Sequence, residues 1–221
     1  MPLKSSRNLS EQLADHLSDR IIRGELQPGQ RLPETELAKQ LDVSTNSLRE
    51  AFRLVEKRHL IDVQSRRGAR VRQVDERQVR ELYDFLFLLL GQLAARAAER
   101  WQPGELDELL AHVVIMREHF DAGDVGAFHE TAFAFIRTGL RFADNGYLAD
   151  AIEDLTPQLQ RFSYLALQEE TTELDVSLAI FGRLVENVVN RQAEAAAADI
   201  REYGANQCQI VLRALAKRSA A

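Results

Sequence analysis

The stretch from residue 34 to residue 58 constrains the fold most tightly. Leu37, Ala38 and Leu41 fall on one helical face. After a two-residue connection, Asp42-Val43, the residues Leu48, Ala51, Phe52 and Val55 form a second apolar face. Ser44 stands at the start of that second segment, where a serine oxygen can cap a helix. Two short helices joined by a tight turn, the second opening on a serine, have the spacing of a helix-turn-helix. In that arrangement the N-terminal residues of the second helix, here Thr45, Asn46 and Ser47, face outward, with Arg49 and Arg53 further along the face.

The flanking segments complete a small domain. Leu13, Leu17 and Ile21 recur every four residues with Ile22 alongside, so residues 9–23 read as a helix, with Ser10 as its expected N-cap. Gly24 ends it and Pro28-Gly29 turns the chain. Residues 60–63 and 69–72 alternate in polarity around the polar loop 64–68, which predicts a two-stranded hairpin. The loop carries Arg66, Arg67 and Gly68, and Arg70 and Arg72 follow. A basic hairpin behind a helix-turn-helix is a wing, able to reach phosphates or the minor groove.

Charge divides along the same line. Residues 1–74 hold 14 Lys/Arg and 10 Asp/Glu, a net of +4, and the remaining residues hold 14 and 24, a net of -10. A basic end on an acidic chain suits a protein that docks one end on nucleic acid. The longest apolar run, residues 85–90, is far too short to cross a bilayer, so no membrane partner is expected. Met1 to Arg7 lacks an apolar stretch behind its basic residues, so no signal peptide is expected. One cysteine, Cys208, cannot form an internal disulfide, and a cytoplasmic address is the expectation. No nucleophile elbow, P-loop or dinucleotide fingerprint occurs, so an enzyme is not expected.

Several N-terminal motifs in register closely resemble the DNA-binding domain of the GntR family. They are Gly-Glu-Leu-x-Pro-Gly-x-x-Leu (Gly24 to Leu32), Glu-Leu-Ala (Glu36 to Ala38), Val43-Ser44, Arg49 to Ala51, and Arg67-Gly68. The resemblance spans residues 9–74 and implies a winged helix-turn-helix of three helices plus the wing. The DNA-contacting set it implies, together with the spacing, is Arg31, Glu34, Ser44, Thr45, Asn46, Ser47, Arg49, Arg53, Arg66, Arg67 and Gly68. The family's Arg-Thr-Pro after the serine is Thr45-Asn46-Ser47 here, and its glycine before the first wing strand is His59. These departures point to an operator unlike the common family site.

Beyond the wing, residues 75–80 are expected to act as a linker around the start of an antiparallel helical bundle. Helices are predicted at 76–100, 104–121, 124–142, 146–169, 174–191 and 193–218, separated by turn residues such as Pro103-Gly104, Gly123-Asp124 and Asn145-Gly146. The expected division is thus 1–74 for DNA binding and 75–221 for effector binding and dimerisation, and the fold class is mainly α.

This second half resembles the FadR-type subfamily, whose bundles often hold a metal on one Asp and three His. In this sequence the positions implied for those ligands are Ala132, Ile136, Phe181 and Tyr203, none of which is an imidazole or carboxylate. A cavity-facing Arg and Glu of the family fall on Leu86 and Leu90. His112, His119 and His129 lie at spacings that could share a face, without a carboxylate partner. The expectation is therefore no metal and no cofactor, and an apolar cavity lined by Leu86, Leu90, Ala132, Ile136 and Phe181. Asn145, Arg161, Tyr203 and Asn206 are its candidate polar anchors.

The expected function is a homodimeric regulator, a repressor by family habit, that binds a palindromic operator in double-stranded DNA. A small hydrophobic effector of unknown identity would modulate it. A bundle that only dimerises, its apolar residues simply filling the core, and a helical protein-interaction module are the alternatives.

Overall fold

The computed structural model describes residues 8–64, 67–167 and 174–220. It divides into two compact units: residues 1–74 together with 154–164, and residues 75–153 together with 165–221. The sequence division at Val74 did not assign the segment 154–164 to the first unit.

In the first unit, α1 (Leu9–Ile22), α2 (Glu34–Gln40) and α3 (Thr45–Lys57) enclose one core. Leu17, Leu48, Ala51, Phe52 and Val55 are fully or almost fully buried in it. Full burial of a side chain such as Phe52 contributes about 2–3 kcal/mol. The helix boundaries follow the caps. Asn8, not Ser10, caps α1: its side chain accepts from the Ser10 amide while Glu11 reaches back to the Asn8 amide, a capping box. Ser10 is buried instead, and its hydroxyl donates to Glu50 Oε2 at 2.8 Å. Ser44 caps α3 as expected, accepting from the Ser47 amide at 3.0 Å.

The wing has three strands rather than two. β1 (Arg31–Leu32), β2 (Ile61–Gln64) and β3 (Gly68–Val71) form an antiparallel sheet in the order β1-β3-β2. Arg31 pairs with Arg70 and Leu32 with Ala69. Gly68 makes this possible. Its φ is +83°, and a Cβ there would lie 2.2 Å from the Leu32 carbonyl oxygen. Only a residue without a side chain lets the two backbones approach so closely.

The second unit is helical throughout its described elements: α4 (Glu76–Arg100), α5 (Asp107–Asp121), α6 (Val125–Gly139) with a 3-10 turn at Leu140–Phe142, the two ends of α7 (Gly146–Leu167), whose residues 154–164 group with the first unit, α8 (Leu174–Val189) and α9 (Ala193–Ala220). Residues 76–80 are already the first turn and more of α4, which Asp75 caps by accepting from the Gln78 amide at 2.8 Å. They are therefore no irregular linker. The second predicted helix begins at Asp107 rather than residue 104, and the third leaves the α-helical path after Gly139. The predicted end of the fourth, at 168–169, lies outside the described residues.

α4 and α9 pack along one another. Gly204 lies against Phe87 so closely that a Cβ would fall 2.3 Å from the ring, and Gly91 faces the backbone of Ala197. The far end of α4 is tied by Arg191, which donates to the Trp101 carbonyl at 2.9 Å and stacks over the indole at 4.5 Å. A cation there complements the C-terminal end of the helix. Trp101 Nε1 in turn donates to the Val188 carbonyl at 3.0 Å.

Replacing Gly68 with alanine should open the β1–β3 pairing and lower stability by about 2–4 kcal/mol. Denaturant unfolding checks this, and an unchanged midpoint would contradict the close approach.

Candidate nucleic-acid interface and effector cavity

The helix-turn-helix residues fall into two kinds. Thr45, Asn46, Arg49 and Arg53 are exposed, and 45, 49 and 53 repeat every four residues along one face of α3. Ser44 and Ser47 belong to the cap: their hydroxyls lie 2.8 Å apart, and Ser44 Oγ already accepts the Ser47 amide. The serines thus set where α3 begins, and exposed Ser44 stands beside Thr45, Asn46 and the arginines. Glu34, at the start of α2, holds Arg49 by an ion pair of 2.7 Å. The Glu34 side chain is 18% exposed and that of Arg49 is 60% exposed, so the carboxylate aims the guanidinium while leaving it open to a ligand. Exposed pairs of this kind are worth about 0–1 kcal/mol, small enough for a phosphate or base to displace.

The wing brings more cations together. Arg31 and Arg67 are exposed, and Arg66 lies outside the described residues. Arg70, absent from the predicted set, sits opposite Arg31 in the sheet. Like charges directly opposite are unfavourable without an anion to share. That pairing could not be read from the sequence, because β1 is two residues long and precedes Pro33. Arg72 is engaged internally, with Asp62 at 2.7 Å and His59 Nδ1 at 3.3 Å. His59 adopts φ +57°, the left-handed conformation for which a glycine is the ordinary choice. Burial, then the charge of Arg72, holds its pKa below the usual histidine value.

Four predicted cavity residues converge in the second unit. Leu90 on α4, Ile136 on α6, Phe181 on α8 and Tyr203 on α9 line one small cavity, with Phe87, Leu93, Phe135, Leu184 and Ile200 among its other walls. Rings form a continuous chain: Phe135 to Phe181 at 5.4 Å, Phe181 to Tyr203 at 5.0 Å, Tyr203 to Phe87 at 6.0 Å and Phe87 to Tyr83 at 5.3 Å. The cavity volume is about 60 Å³. A dry apolar cavity that admits benzene is about 150 Å³, so this one holds only a few heavy atoms in the closed arrangement. The donors present do not fit a metal: the implied ligand positions carry Ala, Ile, Phe and a phenol whose ionisation is suppressed by burial.

The remaining candidates lie elsewhere. Leu86 and Ala132 are buried but are not part of the cavity wall. Asn145 is exposed and its Oδ1 accepts from the Leu148 amide at 3.1 Å, at the start of α7. Asn206 is half-buried, with its side-chain nitrogen lacking a hydrogen-bond partner among the described residues. Arg161 belongs to the first unit, not to the cavity. It is 3% exposed and donates to the Arg72 carbonyl at 2.7 Å. Burial lowers its pKa to about 10, so it keeps its charge at neutral pH.

A helix-turn-helix with a basic wing, followed by a separate helical unit, defines a winged-helix DNA-binding regulator. Comparison with known families is specific: residues 9–71 match the bacterial regulatory proteins of the gntR family, and residues 81–206 match the FCD domain. The chain belongs to the GntR family, in the FadR-like group whose helical domain is FCD, and it is a transcription regulator.

Among its relatives is the "Probable D-xylose utilization operon transcriptional repressor" of Paenarthrobacter nicotinovorans, 29% identical over 76% of this chain and 73% of that protein. Another is the gluconate operon transcriptional repressor of Bacillus subtilis, 24% identical over 76% of this chain and 69% of that one. Among solved structures, E. coli McbR/YncC matches with a TM-score of 0.80 over 94% of this chain and 99% of its own, at 21% identity, a likeness of fold.

The histidines yield a pH prediction. His129 is half-buried beside Phe128, and burial lowers its pKa from 6.5 to about 4. The unfolded chain therefore takes up a proton below pH 6.5 that the folded one refuses until about pH 4. Stability falls as pH drops through that window, by at most about 2 kcal/mol between pH 7 and pH 5. Urea unfolding of wild type and His129→Gln at both pH values checks this: the variant should show the smaller loss, and equal losses would contradict it.

Proposed function

We propose that the protein is a cytoplasmic, homodimeric repressor that acts by binding a two-fold symmetric operator rather than by catalysis. The observation that carries this reading is the exposed face of α3. There Arg49 is held by Glu34 in line with Thr45 and Arg53, with Asn46 beside them. Arginine reads guanine bidentately, asparagine reads adenine, and the wing cations Arg31, Arg67 and Arg70 are suited to phosphates. The absence of a positive charge at residue 45 removes one family contact and favours a distinct operator. No helix among the described residues is long and apolar enough to cross a membrane.

The bundle's ligand would be small and hydrophobic. The convergence of Leu90, Ile136, Phe181 and Tyr203 supports this, and the 60 Å³ volume requires the walls to part when it binds. The same small volume favours a second reading, in which the bundle dimerises and binds nothing. Thermal unfolding in the presence of benzene, indole or short-chain alcohols separates the two. A rise in midpoint that Ile136→Trp abolishes supports the effector reading, and no rise with any of them supports the second.

The DNA reading is tested by titrating the protein's own upstream DNA at two salt concentrations, with wild type beside Arg49→Ala. Wild-type affinity should fall steeply with salt, and the variant should bind about ten- to a hundredfold more weakly. Equal affinity of the two proteins would remove α3 from the interface.

A further inference from the structure

α5 is apolar on two sides. Leu109 and Met116 are buried, while Leu110, Ala111, Val114 and Ile115 are exposed in an unbroken stripe. Val114 is 59% exposed, Leu110 39% and Ile115 38%. An isolated exposed valine is ordinary, but four apolar residues at helical spacing along one face mark a surface that meets another apolar surface. The stripe is bounded by opposite charges, Asp107 one turn before it and Arg117 just after it, both exposed.

We propose that this face of α5 is the interface of the homodimer, packed antiparallel on α5 of a second copy. The inference rests on the dimeric reading above and adds the surface and its register. A two-fold interface must be complementary to itself. If residue 112 lies on the two-fold axis, Leu110 faces Val114 of the second copy, Val114 faces its Leu110, and Asp107 faces its Arg117. One register thus matches Leu110 with Val114 and Asp107 with Arg117, and the two-fold repeats each of these pairs.

The exposed apolar pair on α4, Phe85 and Leu88, does not have this property. The register that sets Phe85 against Leu88 of a second copy places Glu81 opposite Gln92, with no ion pair. The register that joins Arg80 to Asp84 places Leu88 opposite Glu76. Setting Leu88 on Leu88 of a second copy does bring Arg77 opposite Glu99, but it leaves Phe85 facing Gly91, so neither this register nor the other two match the Phe85–Leu88 pair and the charges together, as the register on α5 does for Leu110 and Val114.

The test is the dimer dissociation constant of the full chain, measured by sedimentation equilibrium without DNA. Val114→Glu should raise the constant at least a hundredfold while leaving helicity unchanged, because it sets a charge in an apolar seam twice per dimer. Asp107→Arg and Arg117→Asp should each raise it about tenfold, and the double charge swap should return it to within about threefold of wild type. Within one chain these residues are about 15 Å apart along the helix, so restoration must come from across the two-fold. A Val114→Glu protein that dimerises like wild type, or a double swap no better than the single variants, overturns the surface. In that case the dimeric reading survives if Phe85→Glu dissociates the protein instead. A monomeric wild type overturns the surface and the dimeric reading together, and duplex binding through Arg49 is judged separately.

Discussion

The backbone contact between Gly68 and Leu32 links most of what the first unit presents to solvent. Because residue 68 has no Cβ and a positive φ, β3 can lie against the two-residue strand β1. β1 leads through Pro33 directly into α2, so the position of the strand fixes where α2 starts. Glu34, the first residue of that helix, then holds Arg49 on α3. A turn in the wing is in this way connected, through three consecutive residues, to the aim of an arginine on the recognition helix. The serines at 44 and 47 complete the arrangement by fixing the start of α3. The capping bonds leave one of the two serine hydroxyl hydrogens free, so exposed Ser44 stands beside Thr45, Asn46, Arg49 and Arg53 on the outward side of α3.

The second unit depends on a different close approach. Gly204 against Phe87 and Gly91 against Ala197 let α4 and α9 meet along their lengths. That packing turns Phe87 and Tyr203 toward Phe181 and Phe135, and the rings leave only a small void between them. Where relatives of this fold can place charged groups and a metal, this chain places leucine, isoleucine and aromatics. A site of that composition gains from excluding water and has little to offer a carboxylate. On the proposed reading, the ligand that parts these walls is a hydrocarbon or an aromatic ring.

How much of this was legible beforehand depended on the kind of signal. The three N-terminal helices and the wing strands β2 and β3 were readable, because their apolar periods run for many residues and their caps stand at the boundaries. Asn8 escaped notice because Ser10 looks equally able to cap, and only the packing against Glu50 shows that its hydroxyl is occupied. β1 left no signal, since two residues cannot display a period. The meeting of Leu90, Ile136, Phe181 and Tyr203 was visible through family resemblance and not through periodicity, which says which face is apolar but not which helices share it. Arg161 went to the first unit for the same reason: burial of a cation against a backbone carbonyl depends on tertiary packing. The apolar outer face of α5 was hidden within a helix that is hydrophobic on both sides.

The central claim is that α3 and the wing read a specific, two-fold symmetric duplex. Selection of bound duplexes from a random-sequence pool by the purified protein tests it most directly. The account predicts enrichment of a single inverted repeat whose half-sites lie about one helical turn apart, with protection of both halves in a footprint. Recovery of no common sequence at low salt, or of a single asymmetric site bound by one chain, would contradict it.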